Sequence, residues 1–206
     1  MINLRWLPVL LAGLLAVSVI PAGAAEFTSK FITYDLSKCL KLNRQAAKTE
    51  TMCMGENDIP VWIINTRADR QTFVGYGDNG RREMAARQTL PGTFSVQPVI
   101  EWRRSRNEGE WRTFAAIQRW LTRDERGIKG ETLVITKIDG SESCHIAYLD
   151  AVVTPHVQAR ARFIADLCVP KFDCAAHEPL RIEGPPDDEQ QRICSTSWAA
   201  FVAPLR

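Results

Sequence analysis

The sequence predicts an α+β domain, in which an antiparallel β-meander sheet carries a C-terminal helix on one face and disulfides staple the whole. Three observations predict it. Four apolar runs between residues 98 and 153 are separated by short connections bearing Gly or Ser, the spacing of consecutive antiparallel strands. The segment that follows, TPHVQARARFIADLC at 154–168, has helical periodicity instead. Six cysteines, an even number, all lie beyond an apolar N-terminal leader.

The leader spans residues 1–25. Arg5 supplies a positive charge, residues 7–20 are almost wholly apolar, and Pro21 with Ala22-Gly23-Ala24 offers the small residues a signal peptidase reads. The run is shorter than the ~20 residues of a membrane-spanning helix. Leu14, within LAGLL at 11–15, stands where a lipid anchor would need a cysteine. The expectation is a signal peptide and an exported protein, periplasmic or secreted, with no stable membrane insertion after cleavage.

Roughly 180 residues remain, enough for one domain with a real core. The expected organisation is a single α+β domain over 26–174 and an irregular, Pro-rich, acidic arm over 175–206. Residues 26–36 read as a strand, with a short helix through 35–46 as an alternative. IPVWIIN at 59–65 reads as a buried strand, and Thr72-Phe73-Val74 as a second. GYGDNG at 75–80 is a turn, because Asn79-Gly80 favours positive φ. RREMAARQ at 81–88 suits one or two helical turns.

The meander strands are then 98–104, 110–124, 131–140 and 144–153. In the second of these, Phe114, Ile117 and Leu121 also fit helical spacing, so strand and helix compete there. For the helix that follows, Thr154 can cap and Pro155 sits where a missing N–H costs nothing. Val157, Ala161, Ile164 and Cys168 fall on one apolar stripe, with Gln158, Arg162 and Asp166 opposite.

Charge excludes little but demands nothing. The formal net charge is +2, one unit of it from Arg5 in the leader. The seven arginines of 103–126 are interleaved with Glu108, Glu110, Asp124 and Glu125, which reads as a solvated hairpin face and gives no ground for a nucleic-acid partner. An unknown envelope component or protein is the expected partner.

The cysteines are Cys39, Cys53, Cys144, Cys168, Cys174 and Cys194. Cys144 and His145 adjoin on a predicted strand, where successive side chains point to opposite faces, so the imidazole cannot activate that thiol. The strand runs outward about 20 Å from Cys144 and the helix returns about 20 Å, which brings the chain after the helix beside Cys144. Either Cys168 or Cys174 can bridge to it. Cys174 is preferred, because Cys168 faces the core and can reach Cys194. Cys39–Cys53 is the simplest local pair. Six cysteines permit about 15 connectivities, and about three remain once 39–53 is granted.

Several catalytic signatures are absent. There is no C-x-x-C, no C-x-x-C-H, no G-x-S-x-G and no phosphate-binding glycine loop; His177-Glu178 is followed by Arg181 instead of the second histidine of H-E-x-x-H. A zinc site around Cys174 and His177 competes with disulfide formation and loses in an oxidising compartment. No cofactor or metal is expected. A hydrolase assembled from distant residues, using His156 or His177, is the alternative to a binding or accessory protein. Asp58, Asp69 and Asp150 read as turn and hairpin residues. The candidate ligand face is Trp102, Arg103, Trp111, Arg112, Arg119 and Trp120, on adjacent predicted strands; three tryptophans so placed also read as core.

Glu101-Trp102-Arg103, Phe114-Ala115-Ala116-Ile117 with Arg119, LVITKI at 133–138, CHIAYLDA at 144–151, and ARFIAD at 161–166 followed by Phe172-Asp173-Cys174 carry a resemblance. Over roughly 34–174 the chain resembles a group of uncharacterised exported proteins of α-proteobacteria. The resemblance implies a shared compartment and architecture and no particular activity. It also implies that Cys39, Cys53, Cys144 and Cys174 are the group's usual set, with Cys168, Cys194 and the acidic tail as additions, which suits a 168–194 bridge.

Overall fold

The structure is a computed structural model that describes residues 26–45, 48–66, 71–88, 90–107, 109–140 and 142–184. The leader, Asp69, Cys194, Trp198 and the arm beyond residue 184 lie outside the described residues.

Two mostly antiparallel sheets and a helix form three layers. The six-stranded sheet has the order β1-β6-β7-β8-β9-β10, and its centre is the meander of β6 (Thr93–Asn107), β7 (Glu110–Arg123), β8 (Lys129–Asp139) and β9 (Glu142–Asp150). β1 (Glu26–Thr33) pairs antiparallel with β6 at one edge. The competition over 110–124 goes to the strand: Ala116, Gln118 and Trp120 face one side, Ala115 and Ile117 the other, and a 14-residue strand is thereby buried on both faces.

A second sheet extends the expected architecture. β2 (Leu40–Gln45), β3 (Lys48–Met54), β4 (Pro60–Thr66) and β5 (Thr72–Tyr76) form a four-stranded antiparallel sheet. It packs on the inner face of the larger sheet. Cys53, Val61, Ile63, Val74 and Tyr76 from the small sheet meet Ile100, Trp102, Ala116, Trp120, Val134, Ile138 and Tyr148 from the large one. β2 replaces the short helix considered over 35–46. Residues 81–88 make a run of turns instead of a helix, and they tie the sheets together where the Ala85 N–H donates to the Ser143 carbonyl at 2.9 Å.

α1 (Val157–Cys168) covers the outer face. Ala161, Ile164, Ala165 and Cys168 pack on Ile117, Leu133, Ile135, Ile146 and Leu149. The helix starts later than expected. Asp150, not Thr154, shapes its approach, because Asp150 Oδ1 accepts from the Val152 and Val153 N–H groups at 2.8 and 3.2 Å. His156 takes the N-cap position with φ 50° and caps with no side-chain bond. Thr154 Oγ1 is buried without a hydrogen-bond partner.

Gln158, Arg162 and Asp166, expected opposite the apolar stripe, are turned onto β6. Arg103 Nε and Nη2 donate to the two oxygens of Asp166 at 2.9 and 2.6 Å. Glu101, 2% exposed, accepts from Arg162 Nε at 2.5 Å and also from Gln158 and Ser29. The helix therefore buries a polar flank as well as an apolar stripe, and every charge in that flank has a counter-charge.

Within the arm expected to be irregular, β10 (Leu180–Ile182) pairs parallel with β9 and buries Ile182. A strand–helix–strand crossover through α1 makes that parallel pairing reachable.

Candidate functional site

The described cysteines hold no free thiol. Cys39–Cys53 and Cys144–Cys174 are disulfides, as the local pairing and the strand–helix return suggested. Among the described residues no cysteine is free; Cys168 is buried in the outer core and disulfide-bonded, while its expected partner Cys194 is outside the described residues. Cys144 points into the helix-side core and His145 into the sheet–sheet core, as strand alternation requires.

His145 is fully buried. Its Nδ1 lies 3.0 Å from the Tyr148 hydroxyl, its ring meets Trp120 edge to face, and Nε2 has no partner. Desolvation alone lowers its pKa to about 3, so it is neutral and sealed. The neighbouring Gln118 amide donates to the Tyr34 hydroxyl at 3.0 Å and to the Gln97 carbonyl at 2.8 Å. Burial pushes the Tyr34 hydroxyl up to about 12, against the lowering effect of Gln118, and drives Tyr76 higher still. These groups satisfy a core between sheets. Of the other two histidines, His156 is exposed at the start of α1, and His177 Nδ1 accepts from the Asp173 N–H at 2.9 Å. Among the described residues no three His, Cys, Asp or Glu side chains gather to hold a metal ion.

The six residues of the candidate ligand face separate. Trp102 and Trp120 are 0% and 1% exposed in the inner core, where alternation on β6 and β7 puts them. Arg103 is buried against Asp166 on the opposite face, and Arg119 pairs with Glu131 at 2.6 Å. Trp111 and Arg112 alone come together at a cavity.

That cavity is a cleft of about 390 Å³ at one end of the sandwich, lined by Asn57, Asp58, Ile59, Pro60, Gly77, Asp78, Trp111, Arg112, Thr113, Ile138 and Gly140. Trp111, next to the β6–β7 turn, shares the cleft wall with the β3–β4 loop. The loop reaches it by crossing Trp102 at Gly55, where a Cβ would stand 2.2 Å from the indole. Asn57 and Asp58 then turn back with φ of 49° and 57°, a left-handed conformation that Asn and Asp tolerate best after glycine.

Glu56 anchors this loop from behind. Its side chain is 1% exposed and pairs with Lys30 at 2.6 Å and Arg104 at 3.7 Å. The Arg104 and Arg106 guanidinium groups lie 5.6 and 5.8 Å from the Trp111 ring centre, and Arg106 is itself paired with Glu26. The opposite lip is the β5 turn, held by Trp62 Nε1 donating to the Gly77 carbonyl at 2.7 Å. No family model, curated protein or solved structure matches the chain. The site therefore rests on its own geometry.

The cleft offers hydrogen-bonding groups of both kinds. Asp58 and Asp78 are exposed and make no ion pair among the described residues. Thr113 Oγ1 is buried and makes no hydrogen bond among the described residues. Sequence reasoning found Trp111, Arg112 and the 75–80 turn but not the β3–β4 loop. Its signal was the Gly55-Glu56-Asn57-Asp58 run before the Ile59-Pro60 strand start, turn chemistry that a 206-residue chain offers in several places.

Proposed function

We propose that this chain is a non-catalytic, exported binding or accessory protein of the bacterial envelope, working in the periplasm or outside the cell, and that it binds through the cleft at Trp111. The compartment reading rests on the two disulfides, which fit an oxidising environment, and on the leader composition. Among the described residues no helix is long and apolar enough to cross a membrane.

The observation that carries the reading is the cleft itself. It has an aromatic wall, unpaired polar groups and a pinned loop, but no nucleophile with a base beside it. A rigid rim suits recognition, since little ordering cost remains to be met on binding.

The test is co-sedimentation of the oxidised protein with isolated bacterial envelope. Wild type is expected to sediment, and Trp111→Ala and Asp78→Ala to remain in the supernatant with unchanged circular dichroism. Equal sedimentation of all three would move binding away from the cleft and overturn the reading.

A further inference from the structure

We infer that the cleft takes a neutral, polyhydroxylated ligand, a glycan segment, in preference to a polyanion or a cationic peptide; this rests on the binding reading above and specifies its ligand. Three features of the wall select that chemistry.

The first is shape and polarity. At about 390 Å³ the cleft falls in the lower part of the small-ligand range of about 300–1,000 Å³. Trp111, Ile59, Pro60 and Ile138 supply apolar surface, and Asp58, Asp78, Arg112 and Thr113 supply polar atoms around it. A sugar ring has the matching character, with C–H groups on its faces and hydroxyls on its rim. Each hydroxyl both donates and accepts. Carboxylates of Asp58 and Asp78 accept from such hydroxyls, and the Arg112 guanidinium donates to them.

The second is the charge account. Although the hairpin is rich in arginine, Arg104 is matched by Glu56 and Arg106 by Glu26. Arg112 makes only a loose 3.9 Å contact with Glu110, both side chains being largely exposed. Against that one guanidinium stand the two unpaired carboxylates, Asp58 and Asp78. A sulfated or phosphorylated chain would face them directly. A polycation would meet Arg112 on the hairpin side. A neutral ligand meets neither repulsion.

The third is Thr113. Its hydroxyl is buried with no hydrogen bond among the described residues, on a residue that lines the cleft, so a small shift of the wall would open it to a partner. A ligand hydroxyl supplies one without bringing a charge into a half-buried site.

The experiment is an amide chemical-shift titration of the oxidised protein with three probes: chitotetraose as the neutral glycan, a heparin tetrasaccharide as the polyanion, and tetra-lysine as the cation. Chitotetraose is expected to shift the amides of Asn57, Asp58, Gly77, Asp78, Trp111 and Thr113. Trp111→Ala should weaken it by about tenfold, the weight of one aromatic contact. Asp78→Ala, an exposed turn substitution that leaves the fold intact, should weaken it as well. Heparin or tetra-lysine binding in the cleft in place of chitotetraose overturns the inference. So does an absence of cleft shifts with any probe. If envelope sedimentation still depends on Trp111 in that case, the glycan assignment fails while the binding reading stands.

Discussion

At the scale of single residues, His145 shows how burial sets a titration that stability must follow. In the unfolded chain its imidazole takes a proton near pH 6.5, while in the folded protein desolvation holds it neutral down to about 3. Below pH 6.5 the unfolded state therefore binds one more proton than the native state, so stability falls as pH falls. The expected slope from this group is about 1.4 kcal/mol per pH unit through that window. Urea titrations at several pH values check it: in His145→Gln that component should vanish, leaving a shallower dependence whatever its absolute stability. An unchanged slope would mean that His145 is not sealed. The adjacent cysteine makes a complementary point. Alternation on β9 sends Cys144 to one core and His145 to the other, a separation fully legible in SESCHIAYLD once the segment is taken as a strand.

Among the elements, α1 and β6 depend on each other through charge. Arg103 is buried beneath the helix and its main partner is Asp166, so removing the carboxylate leaves a guanidinium supported by Ser29 alone. Asp166→Ala is expected to cost about 3 kcal/mol, because an uncompensated buried charge is more damaging than the pair is stabilising. The double variant Arg103→Met, Asp166→Leu should recover much of that loss; chemical denaturation of the two side by side measures both. The meander and α1 were legible in sequence, since their apolar residues recur at the right periods. β2 and β3 were not. Their text, LKLNRQ and KTETMCM, is mostly polar, a register shift interrupts the pairing near Lys41 and Asn43, and the edge strand leaves Leu40 and Leu42 exposed. β10 has three residues, too few for any period to show. The candidate ligand face failed to assemble for a related reason. Residues on adjacent strands share a face only when their parity agrees, and parity put Trp102 in the core and Arg103 beneath the helix, leaving Trp111 beyond both. Of the partners of Trp111, Gly77 and Asp78 lie in the turn read at 75–80, whereas Asn57 and Asp58 follow β3, a strand the sequence concealed.

For the molecule as a whole, the two cross-links between described cysteines brace both ends of the described chain. The 14-residue separation of Cys39–Cys53 and the 30-residue separation of Cys144–Cys174 correspond to about 3 and 3.6 kcal/mol in the chain-entropy account. Both are sizeable fractions of an ordinary domain's net stability of about 5–15 kcal/mol. Cys144→Ala with Cys174→Ala is expected to lower stability by about 3–4 kcal/mol, and more than loss of the shorter loop does. Equilibrium denaturation of the two double variants orders them, and a reversed order would show that the helix-side core holds without its staple.

The Cys144–Cys174 bond also decides how the domain answers tension. A load entering at residue 184 first strips the three-residue β10 from β9, then meets Cys174 and passes straight into Cys144 at the start of β9. The helix and its turn lie outside that line of force. About 100 Å of contour stays hidden in the covalent loop until a reductant opens it. Stretched in an oxidising medium, the domain would keep that loop closed; reduction of Cys144–Cys174 would release it as added length.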